Sequence, residues 1–387
     1  MNRTLSTWWH TALLATLILA GCSGDSTGVV ATAGPGAGGG TTGGGSGTPQ
    51  TPPQGTTGVN DSKLKILATN LGSPFNVVVD ANNVYWNDAQ TGAIGAVRID
   101  GSAAAKLIVA ADSATGIDLA LDPVNVYFTS SDFSLRRVAK TGGVVTSLTT
   151  SSTQIAGCSG SLCFISPTGI LVSGTRVIFG NASRGGSGTG KLPTAVMEIG
   201  TNATNLANLA TSNAPTSSSP VLVAANGSVV YFAYSGNVTG NAIRSVALTG
   251  GAATNTLSGV GDMFAIAVTA SGGGAGSVFF AARALGSTSV TLRKLTGSTV
   301  TVLDTLTVQH ANSIALDDQN IYYPKFDSNS SSMIVRKSLT TGTETILAGV
   351  AVTNGIIGGL AVDSANVYWA APNSIIGKGS IRFVPKT

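Results

Sequence analysis

Residues 360–369 read LAVDSANVYW, and three other stretches follow the same plan of an apolar run, an Asp, an Asn and an aromatic pair. They are VVVDANNVYW at 77–86, LALDPVNVYF at 119–128 and IALDDQNIYY at 314–323. Less regular copies have their hydrophobic or aromatic pairs at residues 178, 231 and 279, so the mean spacing is about 47 residues. A period in the forties indicates a repeated structural unit that stacks on its neighbours.

Each unit contains four strand-like pieces. The continuous apolar run is typical of a strand buried on both faces. A tight turn and the aromatic strand follow, then a third strand that ends in a turn such as Gly142-Gly143, and a short fourth strand. No stretch shows a helical period. The sequence therefore predicts an all-β fold, a β-propeller of four-stranded blades. Seven blades are preferred, and six remain the alternative if one irregular copy is a decorated loop.

The two ends of the repeat array complement each other. The last copy runs out at Phe383-Val384-Pro385, before its fourth strand, while a spare strand-like segment at 63–67 precedes the first copy. We predict that the N-terminal segment completes the last blade and so closes the ring, because an open ring leaves an unpaired edge.

The motif Val79-Asp80 to Tyr85-Trp86 resembles the YWTD repeat of lipoprotein-receptor ectodomains, and also repeats of TolB-like and NHL-like propellers. The likeness covers most of residues 63–387. It departs from the YWTD family in blade number, which is six there, and in the residues after the aromatic pair, which are Asn87-Asp88 here. These families bind proteins, glycans or small molecules, and a few are enzymes, so the resemblance supports the fold more than a function.

The N-terminus has the pattern of an export signal. Arg3 precedes an apolar stretch at 11–20 that is too short for an ordinary membrane anchor. It ends in Leu19-Ala20-Gly21-Cys22, which resembles the lipobox of bacterial lipoproteins. The resemblance implies that residues 1–21 are removed and that Cys22 carries the lipid, palmitate included. By the same resemblance, Ser23 favours the outer membrane, facing either the periplasm or the cell surface.

Residues 22–62 follow as a Gly-, Thr-, Ser- and Pro-rich tether, which we expect to be disordered because it has little apolar surface to bury. The predicted propeller domain occupies 63–387. Charged residues make up 10% of the chain, without a run of Lys or Arg, and this argues against nucleic acid as a partner. The expected membrane contact is the lipid, and we expect a monomer.

Two charged positions recur in the repeats. An Asp stands where the first strand turns into the second, and we interpret it as an acceptor for backbone N–H groups of the turn, with a repeated cation site as the alternative. A basic residue recurs in the third strand, in phase from repeat to repeat, and predicts a solvated strand face or a ring of charges for an anionic partner. The two sets are Asp80, Asp122, Asp317 and Asp363, and Arg136, Arg244, Arg293, Arg336 and Arg382.

Cys158 and Cys163 are close in sequence, and an exported protein folds in an oxidising compartment. We therefore predict a small disulfide-closed loop. Neither a metal site nor a cofactor is expected, because the chain after Cys22 has a single histidine, His310, and metal enzymes commonly use several.

Chemically useful side chains are few. His310 precedes the first strand of its repeat, and three polar residues occupy similar places in theirs: Asp118, Asp262 and Asn354. In a propeller these connections surround one mouth of the central channel, so the four residues form the candidate ligand-binding set. The preferred function is a binding or scaffolding protein for a protein, glycan or small molecule. The alternative is a lyase or hydrolase that uses His310 with one of the two Asp residues.

Overall fold

The computed structural model describes residues 63–387 apart from eleven short gaps, which are 112–115, 156–163, 183–194, 212–219, 236–240, 270–275, 285, 307–312, 327–331, 351–356 and 374–376. The described part is all β-structure, apart from turns. No helix in it has the length and hydropathy needed to cross a membrane.

The strands form seven blades, each an antiparallel sheet with the apolar run innermost and the aromatic strand second. The first four blades are built from consecutive segments of the chain. Blade 1 contains β2 (Pro74–Val79), β3 (Asn83–Asp88), β4 (Ile94–Arg98) and β5 (Lys106–Val109); blade 2 contains β6 (Gly116–Leu121), β7 (Asn125–Ser130), β8 (Leu135–Ala139) and β9 (Thr146–Thr149); blade 3 contains β10 (Pro167–Ser173), β11 (Arg176–Asn181), β12 (Val196–Gly200) and β13 (Ala207–Thr211); and blade 4 contains β14 (Val221–Ala225), β15 (Val229–Tyr234), β16 (Ala242–Ala247) and β18 (Thr254–Ser258).

The remaining three blades continue the pattern, and the last is completed from the N-terminal side. Blade 5 contains β19 (Asp262–Val268), β20 (Val278–Arg283), β21 (Val290–Thr296) and β22 (Thr299–Leu306); blade 6 contains β23 (Ala315–Leu316), β24 (Asn320–Phe326), β25 (Ser332–Ser338) and β26 (Glu344–Val350); and blade 7 contains β27 (Leu360–Val362), β28 (Asn366–Ala371), β29 (Gly379–Pro385) and β1 (Lys65–Leu71).

Ring closure occurs where the sequence predicts it. Strand β1 pairs antiparallel with β29, and Lys65 lies opposite Phe383. The ammonium of Lys63 also donates to the carbonyl oxygen of Thr387 at 2.8 Å, so the two ends of the domain meet. The predicted seven-bladed propeller is confirmed, and the six-bladed alternative is wrong because all three irregular repeats form complete blades.

One feature of the sheets is absent from the repeat pattern. A two-residue strand, β17 (Gly251–Ala252), pairs in parallel with β13 at the outer edge of blade 3. Gly250 and Gly251 both have positive φ, 84° and 132°, which most other residues adopt only at a cost. The turn of blade 4 thus bends towards blade 3 and covers part of its exposed edge.

The aromatic pair explains how neighbouring blades adhere. In β3, Tyr85 faces blade 2 while Trp86 faces blade 7, because successive strand residues point to opposite faces of the sheet. The described core divides in this way into seven clusters, one between each pair of adjacent blades. The Trp86 indole lies over Gly95, where a Cβ would approach Cζ2 to 2.1 Å.

The repeated Asp closes the turn between the first two strands, as the sequence predicts. In blade 2, Oδ1 of Asp122 accepts the N–H groups of Val124 and Asn125, and Oδ2 accepts the hydroxyl of Tyr127 at 2.6 Å. Burial alone would raise the pKa of Asp122, but these hydrogen bonds lower it. The same hydrogen bonds, two from backbone N–H groups and one from the tyrosine hydroxyl, form at Asp80, Asp317 and Asp363.

The basic residues of the third strand are not all in phase, which corrects one prediction. Arg382 lies opposite Trp369, the second aromatic residue of its pair, and Arg136, Arg244 and Arg293 have the same register. Arg336, by contrast, lies opposite the first, Tyr322. Several of these guanidinium groups donate hydrogen bonds to a residue of the same strand, as Arg382 does to the hydroxyl of Ser380. Burial lowers the pKa of Arg382.

Candidate ligand-binding site

The first strands of all seven blades surround a cavity of about 180 Å³ on the propeller axis. Each blade contributes one residue of this lining at an equivalent position. In six blades, the next residue along the chain pairs with the second residue of the aromatic pair. In blade 6 the residue is Ser313, which lies four residues before the repeated Asp317, as Asn76 does before Asp80. We call these seven residues the channel ring. They are Asn76, Asp118, Gly169, Leu222, Ala265, Ser313 and Gly359.

The walls beside the channel ring combine aliphatic side chains with a larger share of polar atoms. Val77, Val223 and Ile266 contribute aliphatic surface, and the ring of Phe264 lines the same space. This lining follows from the sequence, because the innermost strands carry the apolar runs of the repeat. A ligand in the cavity would meet aliphatic side chains in some directions and polar groups that fix its orientation in others.

Asp118 brings a carboxylate to this lining. Its Oδ1 accepts the N–H of Leu119 at 2.9 Å, and its Oδ2 accepts the N–H of Ile170, in blade 3, at 3.2 Å. Burial raises the pKa of Asp118 to about 6, although the two backbone hydrogen bonds act in the opposite direction. Among the described residues that line the cavity, Asp118 is the one titratable group.

Two glycines of the channel ring allow the blades to approach closely. A Cβ on Gly359 would come within 2.8 Å of the Cα of Asn76 in blade 1, and a Cβ on Gly169 within 2.6 Å of the carbonyl oxygen of Val221 in blade 4. The N–H of Gly359 instead donates to the carbonyl oxygen of Phe75 at 2.6 Å. At these two contacts between blades, the wall of the channel is therefore built from backbone.

Asp262 is not among the residues that line the cavity. It begins β19 and is buried, and its Oδ2 accepts from the guanidinium of Arg283 at 2.5 Å. The same guanidinium lies over the ring of Phe264, 5.7 Å from its centroid. Asp262 therefore fixes Arg283 behind the cavity wall, and the structure does not bring the two predicted Asp residues into one site.

The other predicted site residues fall outside the described part of the chain. They are His310 and Asn354 of the candidate set, the predicted disulfide pair Cys158 and Cys163, and the lipidation site Cys22. Within the described ranges, no three His, Cys, Asp or Glu side chains come together as a metal site.

A second depression of about 550 Å³ lies beside blade 3 and contains Arg176 and Glu198. These two residues form an ion pair at 2.7 Å, and Arg176 also donates to the carbonyl oxygen of Leu248. Their charges are thus matched by the protein itself. The other glutamate, Glu344, pairs with Lys325 and Lys337 in the same way.

Of the residues that line the cavity, Asp118 alone was predicted from the sequence, and three of the polar or aromatic ones that were missed are informative. Asn76, Ser313 and Phe264 all line the cavity, but they share no residue type with Asp118. A signal did exist for the first two, since Asn76, Asp118 and Ser313 each lie four residues before the repeated Asp. Phe264 lies directly before Ala265, the channel-ring residue of blade 5, at a point where the register between β19 and β20 is irregular.

The chain is similar to many solved structures, including the following two. A hydrazine synthase of Kuenenia stuttgartiensis aligns with a TM-score of 0.56 and 11% identity, over 81% of this chain and 96% of that one. The computationally designed Ika8 protein aligns with a TM-score of 0.52 and 12% identity, over 83% of this chain and all of the other. At such low identity the likeness concerns the fold alone. No protein-family model and no curated protein matches the sequence.

Proposed function

We propose that this chain is an exported, lipid-anchored binding protein whose propeller holds a small ligand in the cavity at the channel ring. The observation that carries the proposal is Asp118, the one titratable side chain among the described residues that line the cavity, whose pKa burial raises. Perturbed titratable groups in a concave site are typical of ligand-binding and active sites.

The address in this proposal rests on the N-terminal sequence. Arg3, the apolar stretch at 11–20 and Leu19-Ala20-Gly21-Cys22 together have the form of a lipoprotein signal. Attachment through lipid at Cys22 would hold the propeller at the outer membrane, on its periplasmic or its external side. Residues 23–62 would connect the lipid to β1.

Binding is favoured over catalysis by the position of the carboxylates. A hydrolase or lyase at this mouth would combine His310 with Asp118 or Asp262, but Asp262 is bonded to Arg283 outside the cavity lining. Asp118 in turn accepts two backbone N–H groups. No second acid or base of the described lining stands beside it, as general acid–base chemistry would need.

The proposal is tested by extraction of bound molecules. Full-length protein is purified in a non-ionic detergent, denatured, and its released small molecules are compared by mass spectrometry with those from Leu222→Trp. Leu222 lines the cavity, so the larger side chain should fill it. We expect a molecule that the wild-type protein releases and the variant lacks. The same molecules from both proteins, or none from either, would contradict binding at the channel ring.

A further inference from the structure

Two members of the channel ring perform the same structural task with different chemistry. The hydroxyl oxygen of Ser313 accepts the N–H of Leu360, in the next blade, at 2.6 Å. The carboxylate of Asp118 accepts the N–H of Ile170, also in the next blade, at 3.2 Å. Leu360 and Ile170 are equivalent residues, since each lies opposite the second aromatic position of its blade. A hydroxyl group is therefore sufficient to bond one blade to the next here.

The negative charge of Asp118 has no such explanation. Burial opposes ionisation of this carboxyl group, and no cation of the described residues forms an ion pair with it. An acid that is retained where a neutral hydroxyl would serve is a local inconsistency of the kind that marks functional positions. The charge faces a cavity whose other described lining residues are neutral.

We propose that the cavity binds a small organic cation, with an ammonium group against the Asp118 carboxylate and a short hydrocarbon chain against Leu222, Val223 and Ile314. This inference rests on the proposed function, because it names the ligand class of the same site. The volume of about 180 Å³ leaves room for a ligand of a few carbon atoms. The ammonium would supply the missing countercharge, and charge-assisted hydrogen bonds are among the stronger ones.

A bare divalent cation fits this lining less well. Calcium takes six to eight oxygen ligands, as a rule with several carboxylates. The described channel ring offers side-chain oxygens at Asn76, Asp118 and Ser313, and it offers hydrocarbon or hydrogen at the other four positions. A ligand with one charge and a short apolar chain matches the carboxylate of Asp118 and the aliphatic side chains of Leu222, Val223 and Ile314.

The test compares two probes of nearly equal shape, n-butylammonium chloride and the neutral 1-butanol. Each is titrated at pH 7.5 into full-length protein in a non-ionic detergent, and binding is followed by ligand-observed NMR. The same titrations use Asp118→Ser, which keeps a hydroxyl for Ile170 as Ser313 does for Leu360. We expect n-butylammonium to bind the wild-type protein about tenfold or more tightly than 1-butanol, and the variant to lose this preference. Circular dichroism verifies that the variant is folded.

Four results would overturn the inference. Equal binding of both probes to the wild-type protein would show an uncharged apolar site, which still agrees with the proposed function. Equal binding of n-butylammonium to wild type and Asp118→Ser would place the cation elsewhere. Absence of binding to the wild-type protein would remove the cation, while extraction with Leu222→Trp decides separately whether the cavity holds a ligand. Calcium chloride serves as a third titrant, and its binding in preference to n-butylammonium would also contradict an organic cation.

Discussion

The hydroxyl of Tyr127 donates to Oδ2 of Asp122 across the turn that joins the first two strands of blade 2. The same carboxylate holds the turn through two backbone N–H groups, so one acid connects the turn to the aromatic strand. Burial of the phenol, with the adjacent Asp122 carboxylate as a further cause, raises the pKa of Tyr127 to about 12. The tyrosine of the repeat is therefore part of the turn as well as part of the core between blades.

Removal of this hydroxyl should weaken the fold. We expect Tyr127→Phe to lower the free energy of unfolding by roughly 1–2 kcal/mol, because a hydrogen bond to a charged group is lost. Tyr231→Phe is the matched control: Tyr231 holds the same position in blade 4, where Asn226 replaces the Asp of the turn. Chemical denaturation of the two variants measures the difference. Equal effects would show that the bond to Asp122 contributes nothing.

Packing of Trp86 over Gly95 gives a second prediction. We expect Gly95→Ala to destabilise the protein by about 2 kcal/mol or more, because the new methyl group would overlap a fully buried indole. In the background of Trp86→Leu, which removes the indole, the same substitution should cost much less. Thermal unfolding of the two single variants and the double variant gives the coupling. Additive effects would contradict direct contact as the cause.

The charge of Asp118 should lower stability at neutral pH. Its folded pKa of about 6 lies above the ordinary 3.8, so the folded protein binds this proton more tightly than the unfolded chain does. The resulting stabilisation is complete below about pH 4 and is lost as the pH rises to 6. We expect Asp118→Ser to be more stable than wild type at pH 8 by on the order of 1–3 kcal/mol, with a smaller difference at pH 4. Denaturation at both pH values tests this. Lower stability of the variant at pH 8 would show that the carboxylate is retained for the fold.

The proposed lipid anchor at Cys22 is tested by substitution of the cysteine. Cys22→Ser should abolish incorporation of labelled palmitate and move the protein from the membrane fraction to the soluble extracytoplasmic fraction. Ser23→Ala serves as the control and should leave the lipid in place. Continued labelling of Cys22→Ser would contradict Cys22 as the modified residue.

The sequence predicted the architecture well because a propeller repeats one local pattern. The apolar run, the Asp of the turn and the aromatic pair recur in a fixed order, and the spare strand at Lys65 is visible from the incomplete last repeat. Prediction failed where the outcome depends on how separate strands pair. Strand β17 depends on a turn that reaches a neighbouring sheet, and the phase of Arg336 depends on register between strands.

The sequence predicted the positions of the candidate residues only in part. Asp118 was expected near the channel mouth and lines the cavity, but its partner Ile170 lies in another repeat, 52 residues along the chain. Asp262 has a similar sequence context, yet it lies three residues before Ala265, the channel-ring residue of blade 5, and pairs with Arg283. The amino-acid sequence around Asp118 and Asp262 does not reveal this difference, because contact with the cavity depends on the position of each residue along its first strand.

The most direct test of the account is a crystal structure of the protein grown with n-butylammonium. The account predicts electron density for the ligand inside the channel ring, with its nitrogen about 2.7–3.2 Å from a carboxylate oxygen of Asp118 and its chain towards Leu222. A cavity occupied by water alone, or a ligand bound away from Asp118, would contradict it.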